Sequence, residues 1–145
     1  MKKIVKVICI CACASVLMYG TNFINAYENN NIGFSFDVGA WLTNGRVQNG
    51  RYRSTTDSNN SWKAQLKTST EGKGTITVFW LEHKDGTNVS YDMKLYQGDS
   101  ARYDSVKKKA NQSTVYLTGE NNNYSDNYYH VSGYWDEETG VYLNR

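Results

Sequence analysis

In separate runs between Ile32 and Trp135 apolar residues recur at every second position, and an extended backbone is the conformation that puts such a row on one face. Ile32, Phe34, Phe36, Val38 and Ala40 alternate with Gly33, Ser35, Asp37 and Gly39, and Trp62, Ala64 and Leu66 alternate with Lys63, Gln65 and Lys67. Val89, Tyr91, Met93 and Leu95 repeat the pattern, as do Val115 with Leu117, and Tyr129, Val131 and Gly133 with Trp135. The run Thr75 to Leu81 is apolar on both faces near its end and bounded by Gly74 and Asp85-Gly86, which predicts an interior strand. Six or seven strands result, so the expected fold class is all-β, a single antiparallel β-sandwich. Asn44-Gly45, Asn49-Gly50 and Asp85-Gly86 are dipeptides that tight hairpin turns favour, because both residue types accept a positive φ. Helical spacing is nearly absent. Ser100 to Asn111, with Ala101, Tyr103, Val106 and Ala110 roughly on one side, reads equally as a helical turn or as a crossover loop between sheets. No proline guards the sheet edges, which leaves charges such as Lys63, Lys67 and Lys94 for that task.

The first 26 residues have a different grammar. Lys2, Lys3 and Lys6 precede an uncharged apolar run from Val7 to Met18, and Asn25-Ala26 offers a small-residue cleavage site before Tyr27. The run is shorter than the roughly 20 residues that span a bilayer. Residues 1–26 are therefore expected to be a cleaved signal peptide, and residues 27–145 a secreted, extracellular domain that meets the membrane only through that signal before cleavage. Cys9, Cys11 and Cys13 all fall inside the signal, so the mature domain is expected to have no thiol and no disulfide. A lipid on Cys13 would leave too short an apolar stretch after Lys6 and is set aside. A secreted domain without disulfides fits export from a Gram-positive bacterium. The signal also holds three of the 16 basic residues and none of the 14 acidic ones, so the mature charge becomes −1. A near-neutral domain has no general electrostatic reason to bind nucleic acid.

Catalytic motifs are sparse. Two histidines are present, His83 and His130, without an HExxH pair, a GxSxG elbow or a phosphate-binding glycine loop. His83, beside Glu82, Lys84 and Asp85, reads as exposed at a turn, and His130, alternating with Tyr129 and Val131, as projecting from a sheet face. No catalytic role is assigned to either, and no cofactor or metal is expected. Asp136-Glu137-Glu138 reads as a solvated terminal turn or a weak cation site rather than an acid/base pair, since consecutive side chains on a strand point apart. Glu120 to Asn127 offers oxygen atoms but lacks the spacing of a calcium loop, and an Asn-rich turn is the better reading. Lys107-Lys108-Lys109 reads as a solvated loop.

Aromatic content is the compositional excess: eleven of the 12 tyrosines and all four tryptophans lie beyond the signal. Exposed rings on a rigid sheet can stack on sugars or anchor a protein partner with little entropy to lose. Tyr124, Tyr128, Tyr134 and Trp135 surround a polar loop in which Asn121, Asn122 and Asn123 supply amide donors and acceptors, and these seven form the candidate binding surface. A cell-wall glycan or a protein is the partner expected there.

Thr114 to Ser125 followed by Val131-Ser132-Gly133-Tyr134-Trp135-Asp136-Glu137-Glu138-Thr139 resembles a family of small exported proteins of unknown function from Gram-positive bacteria. Asn31 to Phe34, Gly50 to Arg53 and Gly72 to Thr75 are similar too, so the resemblance spans most of the mature domain. It implies no reaction and no catalytic residues. A looser similarity, in architecture alone, is to bacteriocins of the lactococcin 972 type. The expected function is thus a secreted, non-enzymatic binding or interaction domain. A bacteriocin-like antibacterial effector acting on cell-wall precursors ranks second, and a small cell-wall-active hydrolase third.

Overall fold

The period-two rows become strands with one face dry. The computed structural model describes residues 28–144, in which nine strands follow in order: β1 (Ile32–Val38), β2 (Gly45–Arg46), β3 (Arg51–Arg53), β4 (Trp62–Ser69), β5 (Ile76–Glu82), β6 (Met93–Tyr96), β7 (Arg102–Asp104), β8 (Ser113–Asn121) and β9 (Tyr129–Asp136). The signal-peptide reading, its cleavage site and all three cysteines lie outside the described residues. One sheet runs β1-β9-β4-β7; the other runs β2-β8-β5-β6, with β3 also paired to β8, and every strand pair is antiparallel. The two sheets pack face to face as the expected β-sandwich. Strands beyond the six or seven expected are β2, β3 and β7, runs of two or three residues too short to carry a periodic signal.

Between the sheets, Phe34 and Phe36 of β1 meet Phe79 of β5 with ring centroids 5.5 and 6.3 Å apart, both edge-on. Trp62, Leu66, Leu81, Leu95, Leu117 and Val131 complete a core with no water access. The interior strand expected over Thr75–Leu81 is β5, flanked by β8 and β6. Its Phe79 and Leu81 point inward, whereas Trp80 faces the outer side and is buried there, donating its indole N–H to Glu82 Oε2 at 3.2 Å.

The expected hairpins are replaced by crossovers at most connections. Only β5 and β6 are both consecutive and hydrogen-bonded, across Asp85-Gly86, where Gly86 has φ +85°. Gly45 instead sits in β2 and Gly50 just before β3, neither with a positive φ. Glycine is needed there for close approach: a Cβ on Gly45 would overlap the Asp37 carbonyl, and one on Gly50 would lie 2.7 Å from the Tyr116 ring. Of the strand expected from Val89 to Leu95 only Met93 onward is regular, while Val89 still donates to the Leu81 carbonyl at 2.8 Å. Ser100 to Asn111 contains β7 and a 3-10 turn at Lys108–Ala110, so both readings of that stretch are partly realised.

Lys63 is no edge charge. It is buried on the interior strand β4, its ammonium donating to Asn29 Oδ1 and, at 2.9 Å, to Asn31 Oδ1. The acidic triplet is not solvated either. Arg51 Nε donates to Glu137 Oε2, Glu138 accepts from the Ser54 hydroxyl at 2.7 Å and from the Thr55 N–H at 2.9 Å, and Asp136 accepts from the Asn30 N–H. These carboxylates staple the end of β9 to β3 and to the lead into β1. Burial pushes the Asp136 carboxyl up to about 6, with Lys63 pulling the other way. Beside them Arg53 is fully buried, its guanidinium donating to the Glu137, Asn60 and Asp57 carbonyls and to Asn111 Oδ1.

Candidate functional site

Two loops meet at one end of the sandwich because the strands they leave and enter are paired. β1 ends at Val38 opposite Tyr129, the first residue of β9, so the segment after β1 and the segment before β9 emerge side by side. The first is a tight turn, closed by Gly39 N–H to Thr43 O at 2.9 Å and Thr43 N–H to Ala40 O at 3.0 Å. Trp41 and Leu42 occupy its tip with φ of 56° and 60°. Left-handed backbone at two adjacent bulky residues stores roughly 1–2 kcal/mol each, and strain of this kind clusters at functional sites. Here it projects both side chains into solvent, 55% and 40% exposed.

The second loop is braced by asparagine chemistry. Asn121 Oδ1 accepts the Asn123 N–H at 2.9 Å, and its amide donates to Glu71 Oε1 at 2.7 Å and to Ser125 Oγ at 3.2 Å. Trp41 N–H donates to Ser125 O at 2.7 Å, tying the loops together. Tyr124 stands 73% exposed with its ring centroid 4.9 Å from that of Trp41, and Tyr128 is 78% exposed. Under this apex the Tyr129 hydroxyl pairs with Thr77 Oγ1 at 3.1 Å, and burial pushes its phenol up to about 12, so it stays neutral.

The seven expected site residues are thus dispersed. Tyr124 and Tyr128 share the apex with Asn122 and Asn123. Asn121 is buried and structural. Trp135 is 1% exposed and belongs to the core, as its place in the β9 alternation requires. Tyr134 stands on the outer face of the first sheet, five residues along β9 from Tyr129, about 17 Å away in extended chain. Trp41 and Leu42 were missed: they follow the alternation that runs to Ala40 and read as its apolar continuation, and nothing in their residue types announces a left-handed turn.

That outer face carries a second arrangement. Asp37 lies opposite His130, Ser35 opposite Ser132, and Gly33 opposite Tyr134 in the β1–β9 register. His130 projects from the sheet face as expected, with Nδ1 2.7 Å from Asp37 Oδ1 and Nε2 2.7 Å from Ser35 Oγ. The hydroxyls of Thr68 and Ser132 are 2.6 Å apart beside it. A cleft of about 370 Å³ lies along the free edge of β1, lined by Ile32 to Ser35, Val47 to Arg51 and Trp135. Among the described residues no group of three or more His, Cys, Asp or Glu is placed to hold a metal.

The family model for the protein of unknown function DUF2712 matches residues 21–139, a span that takes in all nine strands, the apex and His130. The chain belongs to the DUF2712 family. No curated protein and no solved structure matches it.

Proposed function

We propose that this DUF2712 domain is a secreted binding module that seats a cell-wall glycan on the aromatic apex of Trp41, Leu42, Tyr124 and Tyr128. The observation that supports this reading is the pair of left-handed bulky residues, Trp41 and Leu42, holding an indole against Tyr124 in open solvent. Burying Trp41 would stabilise the domain; presenting it costs strain, which suits a surface whose work is contact. Flat rings stack on the apolar faces of sugars, and Asn122 and Asn123 beside them offer amides to hydroxyl groups. Secretion is supported by the basic and apolar pattern of residues 1–26.

Co-sedimentation with purified Gram-positive cell walls tests the reading. Losing two stacking rings removes about 2–3 kcal/mol, so the Trp41→Ala/Tyr124→Ala variant is expected to bind roughly 30- to 150-fold more weakly. Its thermal midpoint should stay near that of the parent, since both rings are exposed. Undiminished sedimentation of a folded double variant would place the contact surface elsewhere.

A further inference from the structure

Beyond binding, we infer that Ser35, His130 and Asp37 form an acyl-transfer site that hydrolyses small acyl esters. The inference departs from the non-enzymatic expectation, and it rests on geometry that emerges only when β1 pairs with β9. Ser35 and Asp37 are two apart on one strand and share its outer face; His130 lies across from Asp37 and reaches both. A carboxylate only accepts, so the Asp37 contact requires the imidazole proton on Nδ1. In the neutral imidazole, Nε2 is then left with a lone pair directed at the Ser35 hydroxyl at 2.7 Å. This is the orienter, base and nucleophile relation by which such triads are recognised, whatever the fold and chain order.

The surroundings supply the remaining parts. Ser132 is the direct cross-strand neighbour of Ser35, and its hydroxyl pairs with that of Thr68 at 2.6 Å. In such a pair one proton remains free, and it is available to an oxyanion forming over Ser35. Gly33 leaves open space on this face, with nothing within 4 Å of where a Cβ would sit. The half-exposed ring of Tyr134 stands beside that gap and offers a shelf for an acyl group. Ser35 also lines the cleft along the β1 edge, which offers space to the departing alcohol.

In the reaction, Ser35 Oγ bonds to the ester carbonyl carbon while its proton passes to His130 Nε2. The C–O bond to the alcohol breaks, and the alcohol leaves with that proton. Water then adds to the acyl-serine, His130 again takes and returns one proton, and the acid departs with Ser35 restored. No oxidant, metal or co-substrate other than water is consumed. Asp37 is 82% exposed on its side chain, so water screens its pull on the imidazole and turnover is modest. Asp37 and His130 are two residues from Gly39 and Tyr128 respectively. Ser35 itself is four residues from Gly39, about 13 Å in extended chain, so an O-acyl group on a glycan chain that runs on from the apex falls within reach, a choice of carrier that rests on the apex reading.

The test uses the purified chain with p-nitrophenyl acetate, which carries no sugar and so reports on this site independently of the apex. A fluorophosphonate probe with peptide mapping runs in parallel. Wild type is expected to turn over the ester and to take the probe on Ser35. Ser35→Ala should take no probe and lose at least about 100-fold in turnover, and His130→Gln should lose both signals. Asp37→Asn, whose amide donates to Nδ1 and so turns the imidazole proton towards Ser35, should lower turnover with an unchanged thermal midpoint. Should Ser35→Ala not fold, the labelling position in wild type decides. Hydrolysis by wild type no faster than by Ser35→Ala, or probe on any residue but Ser35, overturns the assignment.

Discussion

Gly133→Ala should destabilise the domain by about 3 kcal/mol, although the same change in an ordinary strand interior stabilises by about 0.5–1 kcal/mol. Gly133 lies mid-way along β9, paired with Phe34 of β1 on one side and Leu66 of β4 on the other. An alanine Cβ there would overlap the Gln65 carbonyl oxygen and sit 2.9 Å from Phe34 Cε1. Moving β4 away weakens about two ladder hydrogen bonds, each worth about 1 kcal/mol. Phe34 is held against Phe36 and Phe79 at 5.6 and 5.5 Å, and driving it off its rotamer adds about 1–3 kcal/mol. After subtracting the gain from a stiffer unfolded chain, about 3 kcal/mol remains, a large share of the 5–15 kcal/mol typical of such domains. Urea titration followed by tryptophan fluorescence measures it, with the slope expected to stay constant. Gly119→Ala is the control, since the atoms nearest its Cβ would be side-chain carbons, two of the Phe79 ring at 3.1 Å and one of Phe36 at 3.4 Å, and it should lose less than about 1 kcal/mol. Equal losses from the two variants, or a Gly133→Ala domain as stable as wild type, would refute the argument that backbone contact with Gln65 requires glycine.

Two further perturbations read the buried charges. Arg53→Met leaves the Glu137 and Asn60 carbonyls buried without their donor, and at about 1–3 kcal/mol for each such group it should cost on the order of 3 kcal/mol in the same titration; a loss under about 1 kcal/mol would mean that water replaces the guanidinium. Asp136, held near 6 against an ordinary 3.8, binds its proton more tightly folded than unfolded, so its contribution to stability falls as pH rises from about 4 to about 6. Asp136→Asn should therefore gain on wild type by about 2–3 kcal/mol between pH 4 and pH 7, whereas a difference that does not change with pH would contradict the burial of an ionised carboxylate.

The sandwich was legible because alternation holds along most strands: Trp62 to Leu66, Val115 with Leu117, and Tyr129 to Trp135 all face where their period places them, whereas Tyr91, in the same alternating row as Val89 and Met93, is half exposed ahead of β6. Connections were less so. Asn44-Gly45 carries a turn signal because glycine permits positive φ, yet glycine also permits close approach, and only the Asp37 carbonyl lying against Gly45 says which property is used. Lys63 and the Asp136–Glu138 triplet were misread for a related reason. A charge on a strand reads as solvent-facing unless its buried partners are known, and Asn29, Asn31, Arg51, Ser54 and Thr55 are all distant in the chain. Of the candidate surface, Tyr124 and Tyr128 are found exposed, while Trp135 was drawn into it by proximity in sequence to a polar loop even though its own alternation assigned it to the core.

Both proposed sites depend on one pairing, that of the first strand with the last. His130 is 93 residues from Asp37 and 95 from Ser35, so neither contact can be inferred without the register that sets Asp37 opposite His130. A slip of one residue would turn His130 into the core and Val131 to the surface. The same register brings the turn bearing Trp41 beside the loop bearing Tyr124, because it fixes Val38 against Tyr129 where the two segments emerge. Close approach at Gly133 is part of what holds β9 in that position between β1 and β4. A substitution that shifts β9 is therefore expected to separate Trp41 from Tyr124 and Ser35 from His130 together, linking two surfaces that share no residue through the strand pair beneath them.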